Sequence, residues 1–404
     1  MQPVDAIPPM DHRSRVSDVI LRAGRERSLL RRHPWVLSGS VESVRGEPAP
    51  GGQVRVVSAE GETLGFGHFS PASQIRVRML CFGKDEPGDD LLAGRIGAAV
   101  ERRRRQPLLA ATDAVRLVNA EGDGLPGLVA DRYGDTLVVR LSSVGMAVRR
   151  ELVRDALRGA TGAPAGFERA DATSARREAI APSEGVLWGA APREPVAIRE
   201  GGRRYAVDVV HGQKTGFYLD QRDARELVQS LAHGRRVLDL FAYTGGFAAA
   251  AARGGAAGVT LVESSAGALA LARENLARNA PGVPARFEQG DAFRFVRAPG
   301  ERFDLLVIDP PPLARRRADA PRALRAYKDV LLFALRRAEP GAWILCFACS
   351  HHVGPELFRK ACFAASLDAA RPLRVLRELA MPVDHPVSLD HPEGRYLSGL
   401  LLEA

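Results

Sequence analysis

One cysteine stands where it could attack a ring carbon of a substrate. Cys349 ends an apolar run that begins at Ala342, and two histidines follow it after one serine. A thiolate that adds to C6 of a pyrimidine makes C5 enamine-like, and C5 can then attack an electrophilic methyl group. The alternative is that Cys349 is a small core hydrophobe. We assign the remaining cysteines to that second class: Cys81, Cys346 and Cys362.

Acidic residues recur at or just after the ends of four apolar segments. They are Asp239, Glu263, Asp291 and Asp309. Ligands of doubly wound sheets bind at the carboxyl ends of strands, where an acid after the second strand suits a ribose and Asp291 could hold an adenine amino group. Each acid alone is more often a helix cap or a solvated charge. Four in register predict a site for S-adenosylmethionine (SAM).

The turn after Asp239 contains small and aromatic residues that could enclose the same cofactor. Phe241, Tyr243, Thr244 and Gly245 lie between the predicted strand and the next helix. Glycine permits close backbone approach, and a helix N-terminus favours an anionic group such as a carboxylate. The dinucleotide fingerprint G-x-G-x-x-G is absent, which argues against NAD or FAD.

A Gly-bearing segment, 211–222, precedes the first strand of this region. Phe217 and Asp220 are expected to contact the cofactor from a lid, while Lys214 and Arg222 suit a phosphate or carboxylate of the substrate. The alternative is a simple turn in which Asp220 caps the next helix.

The residues around Cys349 could also hold the substrate base. Asp309 could bind the N3 edge of a pyrimidine or pass a proton to it, and Pro310 would lie beside it. His351 and His352 could tune the thiol or contact RNA. A hydrolytic Cys–His pair is another possibility, but no oxyanion-loop signature accompanies it.

Alternating strands and helices must position these groups. Apolar β-type runs cover 236–240, 259–263, 285–288, 304–308 and 343–346, and helical patterns cover 221–232, 246–253, 266–279 and 321–338. This alternation predicts an α/β fold with a Rossmann-like, mostly parallel sheet. Late extended segments at 374–379 and 396–402 could complete that sheet.

The upstream half has a different rhythm. We predict a disordered lead-in over 1–16 and a small β-rich domain over 17–88. A central α+β domain follows over 89–195, with a helix-like stretch at 144–157 and a linker from about residue 170. The α/β domain then occupies 196–404.

Composition limits the function classes. The chain has 404 residues and a formal net charge of +9, which favours a polyanionic partner. Four cysteines form neither a disulfide framework nor a paired set of zinc ligands, so we expect no metal site. No apolar run approaches the roughly 20 residues that span a bilayer, and the N-terminus lacks a secretory signal. We therefore expect a cytoplasmic protein that does not bind membranes.

Together, six blocks of sequence resemble the bacterial large-subunit ribosomal RNA cytosine-5 methyltransferases that carry an N-terminal PUA domain. The resemblance covers most of the chain. The blocks are H-P-W-V-L-S-G at 33–39, N-A-E-G-D-G-L-P-G-L at 119–128, the segment 212–222, the turn after Asp239, C-S-H-H at 349–352, and D-H-P with P-E-G-R-Y-L at 384–397.

The resemblance implies a PUA-like RNA-binding barrel, a small central domain and a class I methyltransferase domain. It implies that Cys349 is the attacking cysteine, that cytosine C5 in ribosomal RNA is the target, and that the protein forms homodimers. Two features depart from the family. Phe347 replaces a cysteine usual two places before the catalytic one, and the segment 168–184 fits poorly.

Two alternatives remain open from the residues. One is methylation of an exocyclic amine of adenine or guanine, since Asp309 and the prolines after it resemble the D-P-P-Y loop of amino methyltransferases. Pro312 stands where that loop has its stacking aromatic. The other is a non-catalytic ribosome-assembly factor that merely retains SAM.

Overall fold

The N-terminal part of the protein is a six-stranded sheet. The computed structural model describes residues 16–192, 195–314 and 316–404, so the predicted lead-in lies outside the described residues apart from its last position. Strand order is β2-β6-β5-β4-β1-β3. The elements are β1 (Ser17–Leu21), α1 (Arg27–Leu30), β2 (Trp35–Leu37), β3 (Val41–Arg45), β4 (Gln53–Val57), β5 (Thr63–Phe69) and β6 (Ile75–Phe82). Side chains alternate between the two faces of a strand, so Val54 and Val56 of β4 both point into the core of this sheet and are fully buried.

A second, five-stranded sheet forms the centre of the chain, in the order β11-β10-β9-β8-β7. Its elements are α2 (Leu91–Arg104), β7 (Ala114–Asn119), β8 (Leu128–Tyr133), β9 (Thr136–Leu141), α3 (Val144–Ala147), α4 (Arg150–Thr161), β10 (Ala165–Glu168), α5 (Ala172–Glu178) and β11 (Gly185–Trp188). The helix-like stretch predicted at 144–157 is therefore two helices.

The linker predicted from about residue 170 is wrong. Helix α5 is capped by Asp171, whose side chain accepts hydrogen bonds from the backbone of Thr173 and Ser174. Strand β11 then pairs antiparallel with β10, and Trp188 is buried against Gly166. Strand β11 is a short edge strand that pairs on only one side, and the low apolar content of this segment gave no pattern from which to predict it.

The C-terminal half is a seven-stranded sheet flanked by helices. A hairpin of β12 (Val196–Glu200) and β13 (Arg203–Val207) leads into it. The elements that follow are α6 (Arg222–Leu231), β14 (Arg236–Leu240), α7 (Gly246–Arg253), β15 (Gly258–Glu263), α8 (Ala266–Asn279), β16 (Ala285–Gln289), α9 (Ala292–Arg297), β17 (Phe303–Ile308), α10 (Ala320–Arg336), β18 (Ala338–Cys349), α11 (Pro355–Asp368), β19 (Arg374–Leu379) and β20 (Leu397–Glu403).

The order of this sheet is β16-β15-β14-β17-β18-β20-β19, with β14 to β18 parallel and β20 antiparallel to both its neighbours. The strand order reverses between β14 and β17. The segments that follow these two strands turn away from each other and leave a crevice at the carboxyl end of β14. Such a switch point is where doubly wound sheets bind ligands. Both faces are covered by helices, which explains the nearly continuous apolar strands.

Buried ion pairs join the central sheet to the C-terminal one. Arg222 at the start of α6 donates to both carboxylate oxygens of Asp384, at 2.9 and 2.8 Å, and to the carbonyl of Ala114 in β7. Arg103 in α2 donates to Asp123 and to the carbonyl of Asp384. Each charge is paired, as burial demands.

Candidate active site

The turn after β14 is held in a strained shape. Phe241, Tyr243 and Gly245 have φ values of 63°, 47° and 71°, in the left-handed region that non-glycine residues rarely adopt. Gly245 is the N-cap residue of α7, and a Cβ there would lie 2.9 Å from the Cβ of Ala272. The absence of a side chain at Gly245 therefore allows α7 to pack closely against α8. Strain of this kind persists where a surrounding site fixes it.

Two of the predicted acids fix this turn. Glu263 accepts hydrogen bonds from the backbone N–H of Tyr243 at 2.9 Å and of Ser265 at 2.8 Å. Asp239 accepts one from the backbone N–H of Ala248, in the first turn of α7, at 3.0 Å. Burial raises the pKa of Asp239 to about 8, helped by the nearby charges of Asp309 and Glu263.

A cleft of about 680 Å³ opens at this edge of the sheet. Its walls come from the segment before α6, the turn after β14, the end of β15 and the residues after β17. The lining residues that the sequence predicted are Phe217, Phe241, Tyr243, Thr244, Glu263 and Asp309.

The residues at this edge fit SAM. Oδ1 of Asp239, Oγ1 of Thr244 and Oε1 of Gln221 are buried without a hydrogen-bond partner among the described residues. Buried polar atoms left unpaired are costly and call for a ligand or water. SAM brings an ammonium group, ribose hydroxyls and an adenine amino group, which are donors for such acceptors. Phe241, packed edge-on against Phe293 at 5.3 Å, adds an aromatic wall.

Cys349 lies beside Asp309 at the open edge of the sheet. Its Sγ donates a hydrogen bond to Oδ1 of Asp309 at 3.6 Å, and Nε2 of Gln221 donates to Oδ2 at 3.1 Å. Burial raises the pKa of Asp309 to about 6, and the charge of Asp220 adds to this. Burial and the Asp309 charge raise the pKa of the Cys349 thiol well above its usual range. The resting pair is therefore a thiol next to a carboxylate at neutral pH.

A second charged group faces the same thiol. Nζ of Lys214 lies 2.6 Å from Oδ2 of Asp220 and 4.3 Å from the ring centre of Tyr218. The hydroxyl of Tyr396 donates to that same carboxylate oxygen at 2.7 Å. Although burial opposes it, the Lys214 charge holds the pKa of Asp220 below its usual range. Asp220 is thus a buried anchor for Lys214, and it does not cap α6.

Three predicted roles need correction. Arg222 is buried by its ion pair with Asp384 and cannot reach a substrate phosphate. Pro310 is buried, and Pro311 lines the cleft instead. Gly245 does not line the cleft, whereas Gly246 does. Asp291 is exposed and caps α9 through the backbone of Arg294 at 2.8 Å, so its contact with adenine remains a prediction.

The histidines after Cys349 differ in their surroundings. The ring of His351 lies 5.8 Å from that of Tyr396, and burial lowers its pKa. His352 donates its backbone N–H to Oγ of Ser350. Cys346 is buried in the strand, as predicted, and Phe347 stacks on Phe247 at 6.0 Å. Phe347 therefore fills core space on the side of the sheet that carries Cys349.

Sequence reasoning missed Gln221, Arg225 and Tyr396. Arg225 lines the cleft, lies 4.4 Å from the ring centre of Phe217 and pairs with buried Glu200. Gln221 stands between two residues that the sequence did single out, which was the available signal. Among the described residues no three His, Cys, Asp or Glu side chains converge as metal ligands. Across the same residues, no helix has the length and apolar character needed to cross a bilayer.

Family models match two regions of the chain. A PUA-like domain matches residues 19–82, and an S-adenosylmethionine-dependent methyltransferase matches residues 116–387, more than half of the chain. These matches and the observed sheet confirm the predicted fold class. They also confirm SAM as the cofactor.

Individual relatives agree with this result. The chain is 40% identical over 398 residues to ribosomal RNA large subunit methyltransferase I of Aeromonas hydrophila, covering 96% of this chain and 99% of the relative. It is 41% identical over 387 residues to the protein of that name from Shewanella denitrificans, covering 94% and 98%. A crystal structure of a candidate methyltransferase complexed with SAH has a TM-score of 0.83 at 22% identity, covering 96% of this chain and 100% of the other. The chain therefore belongs to the S-adenosylmethionine-dependent methyltransferase family that includes the ribosomal RNA large subunit methyltransferase I proteins.

Proposed function

We propose that this protein methylates C5 of a cytosine in large-subunit ribosomal RNA through a covalent adduct of Cys349. The names of its relatives support ribosomal RNA as the substrate. The observation that carries the proposal is the 3.6 Å contact between Sγ of Cys349 and Oδ1 of Asp309, beside the SAM cleft. Burial raises the pKa of Asp309 to about 6, and a shifted acid in contact with a partly buried thiol at a cleft is typical of a catalytic pair rather than of core packing.

The two side chains can divide the work of activating the ring. Cys349 loses its proton to Asp309, and Sγ forms a bond to C6 while the C5–C6 π electrons move toward N3 through the conjugated ring. Asp309 passes the same proton to N3, so the adduct carries no added charge. C5 is now nucleophilic and takes the methyl group that SAM supplies. The C5 proton then passes to solvent water and the N3 proton returns to Asp309, and departure of the Cys349 thiolate restores the aromatic ring.

Lys214 favours the thiolate form of Cys349. Its charge lowers the pKa of the thiol, against burial and the charges of Asp309 and Asp220, which raise it. Since Asp220 fixes Lys214 at 2.6 Å, the cation is held without having to reorganise during the reaction. Arg222, by contrast, is held within the fold by Asp384.

The decisive experiment identifies the methylated nucleoside. The protein is incubated with labelled SAM and large-subunit ribosomal RNA, and the RNA is digested to nucleosides. We expect labelled 5-methylcytidine. Methyladenosine or methylguanosine would replace the proposal by amine methylation, and no incorporation despite tight RNA binding would replace it by the assembly-factor hypothesis. A cytoplasmic location and a homodimer remain predictions.

A further inference from the structure

An exposed row of arginines follows the active-site acid. They are Arg316, Arg317, Arg322 and Arg325. Among the described residues, none of these four guanidinium groups lies within 4.0 Å of a carboxylate, whereas Lys328 on the same helix is paired with Asp368. The single acid of the segment, Asp319, accepts the backbone N–H of Arg316 at 3.0 Å. We call these four residues the arginine ridge.

Helix α10 displays its part of the ridge to solvent. Ala323, Tyr327 and Val330 are buried on one face, together with residues further along the same stripe. Arg322 and Arg325 are three residues apart, so they lie on one side of the helix. Both are exposed, on the side that the core does not cover. Their side chains are free to meet a partner.

The ridge is tied to the catalytic edge. Oγ of Ser350, the residue after Cys349, donates a hydrogen bond to the carbonyl of Ala314 at 2.9 Å. Pro311, on the other side of that anchor, lines the SAM cleft. Arg316 lies two residues beyond Ala314, a span of at most about 7 Å of chain. The ridge therefore begins close to the edge of the sheet where Cys349 and Asp309 lie.

We propose that the arginine ridge binds the phosphodiester backbone of the RNA next to the target nucleotide. This inference rests on the proposed function, since it takes RNA as the substrate. Guanidinium groups bind phosphate oxygens in a bidentate manner, and unpaired arginines need not break an ion pair to do so. An enzyme that works on a base must draw it out of its stack, which requires a grip on the flanking backbone. The ridge supplies that contact beside the edge where Cys349 and Asp309 lie.

Matched double variants test the ridge. R316Q/R317Q and R322Q/R325Q each remove two charges, and R253Q/R302Q removes two at the opposite edge of the same sheet, where both arginines are exposed. Affinity for protein-free large-subunit ribosomal RNA is measured between 50 and 300 mM salt. We expect each ridge variant to bind about tenfold more weakly at 150 mM salt. We also expect the slope of log K against log salt to fall by about one to two units.

Accompanying measurements separate binding from folding. SAM affinity and the kcat at saturating RNA should stay within about threefold of wild type, while the KM for RNA rises. R316K/R317K and R322K/R325K keep the charge and should retain most of the salt slope. An equal loss of salt slope in the lysine and glutamine variants would overturn the ridge, because lysine keeps the charge that displaces counterions from phosphate.

Other outcomes also decide the question. RNA affinity and salt slope equal to those of R253Q/R302Q would overturn the ridge. So would weaker binding to intact large subunits with unchanged binding to protein-free RNA, which would indicate a protein contact. If wild type yields methyladenosine while the ridge variants lose RNA affinity, the cytosine proposal fails and the ridge stands. If wild type yields 5-methylcytidine and the variants bind normally, only the ridge fails.

Discussion

The buried carboxyl group of Asp239 lowers the stability of the folded protein, and bound SAM should offset that loss. One of its oxygens accepts the N–H of Ala248, and the other is buried without a partner among the described residues. Burial raises its pKa from 3.8 to about 8, so the carboxyl group is largely protonated at pH 7 in the folded protein. A bound cation would favour the charged form. We therefore predict that Asp239→Asn loses SAM affinity and gains stability.

The magnitude follows from linkage. Because the folded pKa is raised, the native state holds a proton that the unfolded state has lost between about pH 4 and pH 8, and stability falls as pH rises through that window. At pH 7 the cost is on the order of 4 kcal/mol, about three pH units at 1.36 kcal/mol each. The asparagine removes this cost but leaves an amide unpaired, at about 1–3 kcal/mol. The net gain should be roughly 1–3 kcal/mol.

Two assays check this prediction. Calorimetric titration of SAM between pH 6.5 and 9 should show wild-type affinity rising with pH, by up to about tenfold per unit, and levelling off near pH 8. The Asp239→Asn protein should bind SAM at least about tenfold more weakly, without that rise. Thermal unfolding without SAM should show a midpoint that falls with pH over the same range in wild type and stays level in the variant.

Two outcomes would contradict this role of Asp239. If the variant binds SAM as tightly as wild type, the unpaired oxygen does not face the cofactor. If wild-type affinity is flat across this pH range, Asp239 is not the titrating group. Asp304→Asn is the control, because Asp304 pairs with Arg236 at the opposite edge of the sheet. This variant should leave SAM binding unchanged.

Three further predictions concern other residues. The kcat/KM of wild type for RNA, measured at saturating SAM, should fall below about pH 6, because Asp309 must be ionised to accept the thiol proton, and a profile without that acid limb would contradict its role. Asp384→Ala should cost about 3–5 kcal/mol in urea unfolding, since buried Arg222 loses both hydrogen bonds to Asp384 and keeps only the longer 3.7 Å ion pair with Glu200; a loss under 1 kcal/mol would show that water reaches the pair. Gly122→Ala should lower the thermal midpoint because its Cβ would lie 2.0 Å from the carbonyl of Pro386, whereas Gly97→Ala meets nothing within 4 Å and should not.

Local sequence was sufficient to predict which residues lie at the edge of the sheet that forms the candidate site. The apolar runs before Asp239, Glu263, Asp309 and Cys349 are buried parallel strands, and parallel strands place their carboxyl ends at one edge. The predicted helices at 246–253 and 266–279 match α7 and α8 residue for residue. These features depend on periodicity and strand ends, which a sequence displays directly.

Features that depend on distant partners were not predictable. Arg222 pairs with Asp384, which is 162 residues further along the chain. Nothing near either residue indicates the pairing, and an arginine beside a glycine-rich segment is equally compatible with a phosphate site. Pro310 and Pro311 face opposite ways because of the turn after β17, and one residue of register decides which lines the cleft. The unpaired state of the arginine ridge likewise depends on what surrounds it.

Trapping with 5-fluorocytosine shows whether Cys349 attacks C6 of the target cytosine. Fluorine at C5 cannot leave as a proton does, so an enzyme that attacks C6 stays attached to methylated RNA. With SAM and RNA that contains 5-fluorocytosine, wild type and the core variant Cys346→Ala should form a denaturation-resistant adduct, and Cys349→Ala should form none while binding SAM within about threefold of wild type. An adduct in Cys349→Ala, or continued methylation of normal RNA by that variant, would contradict the account.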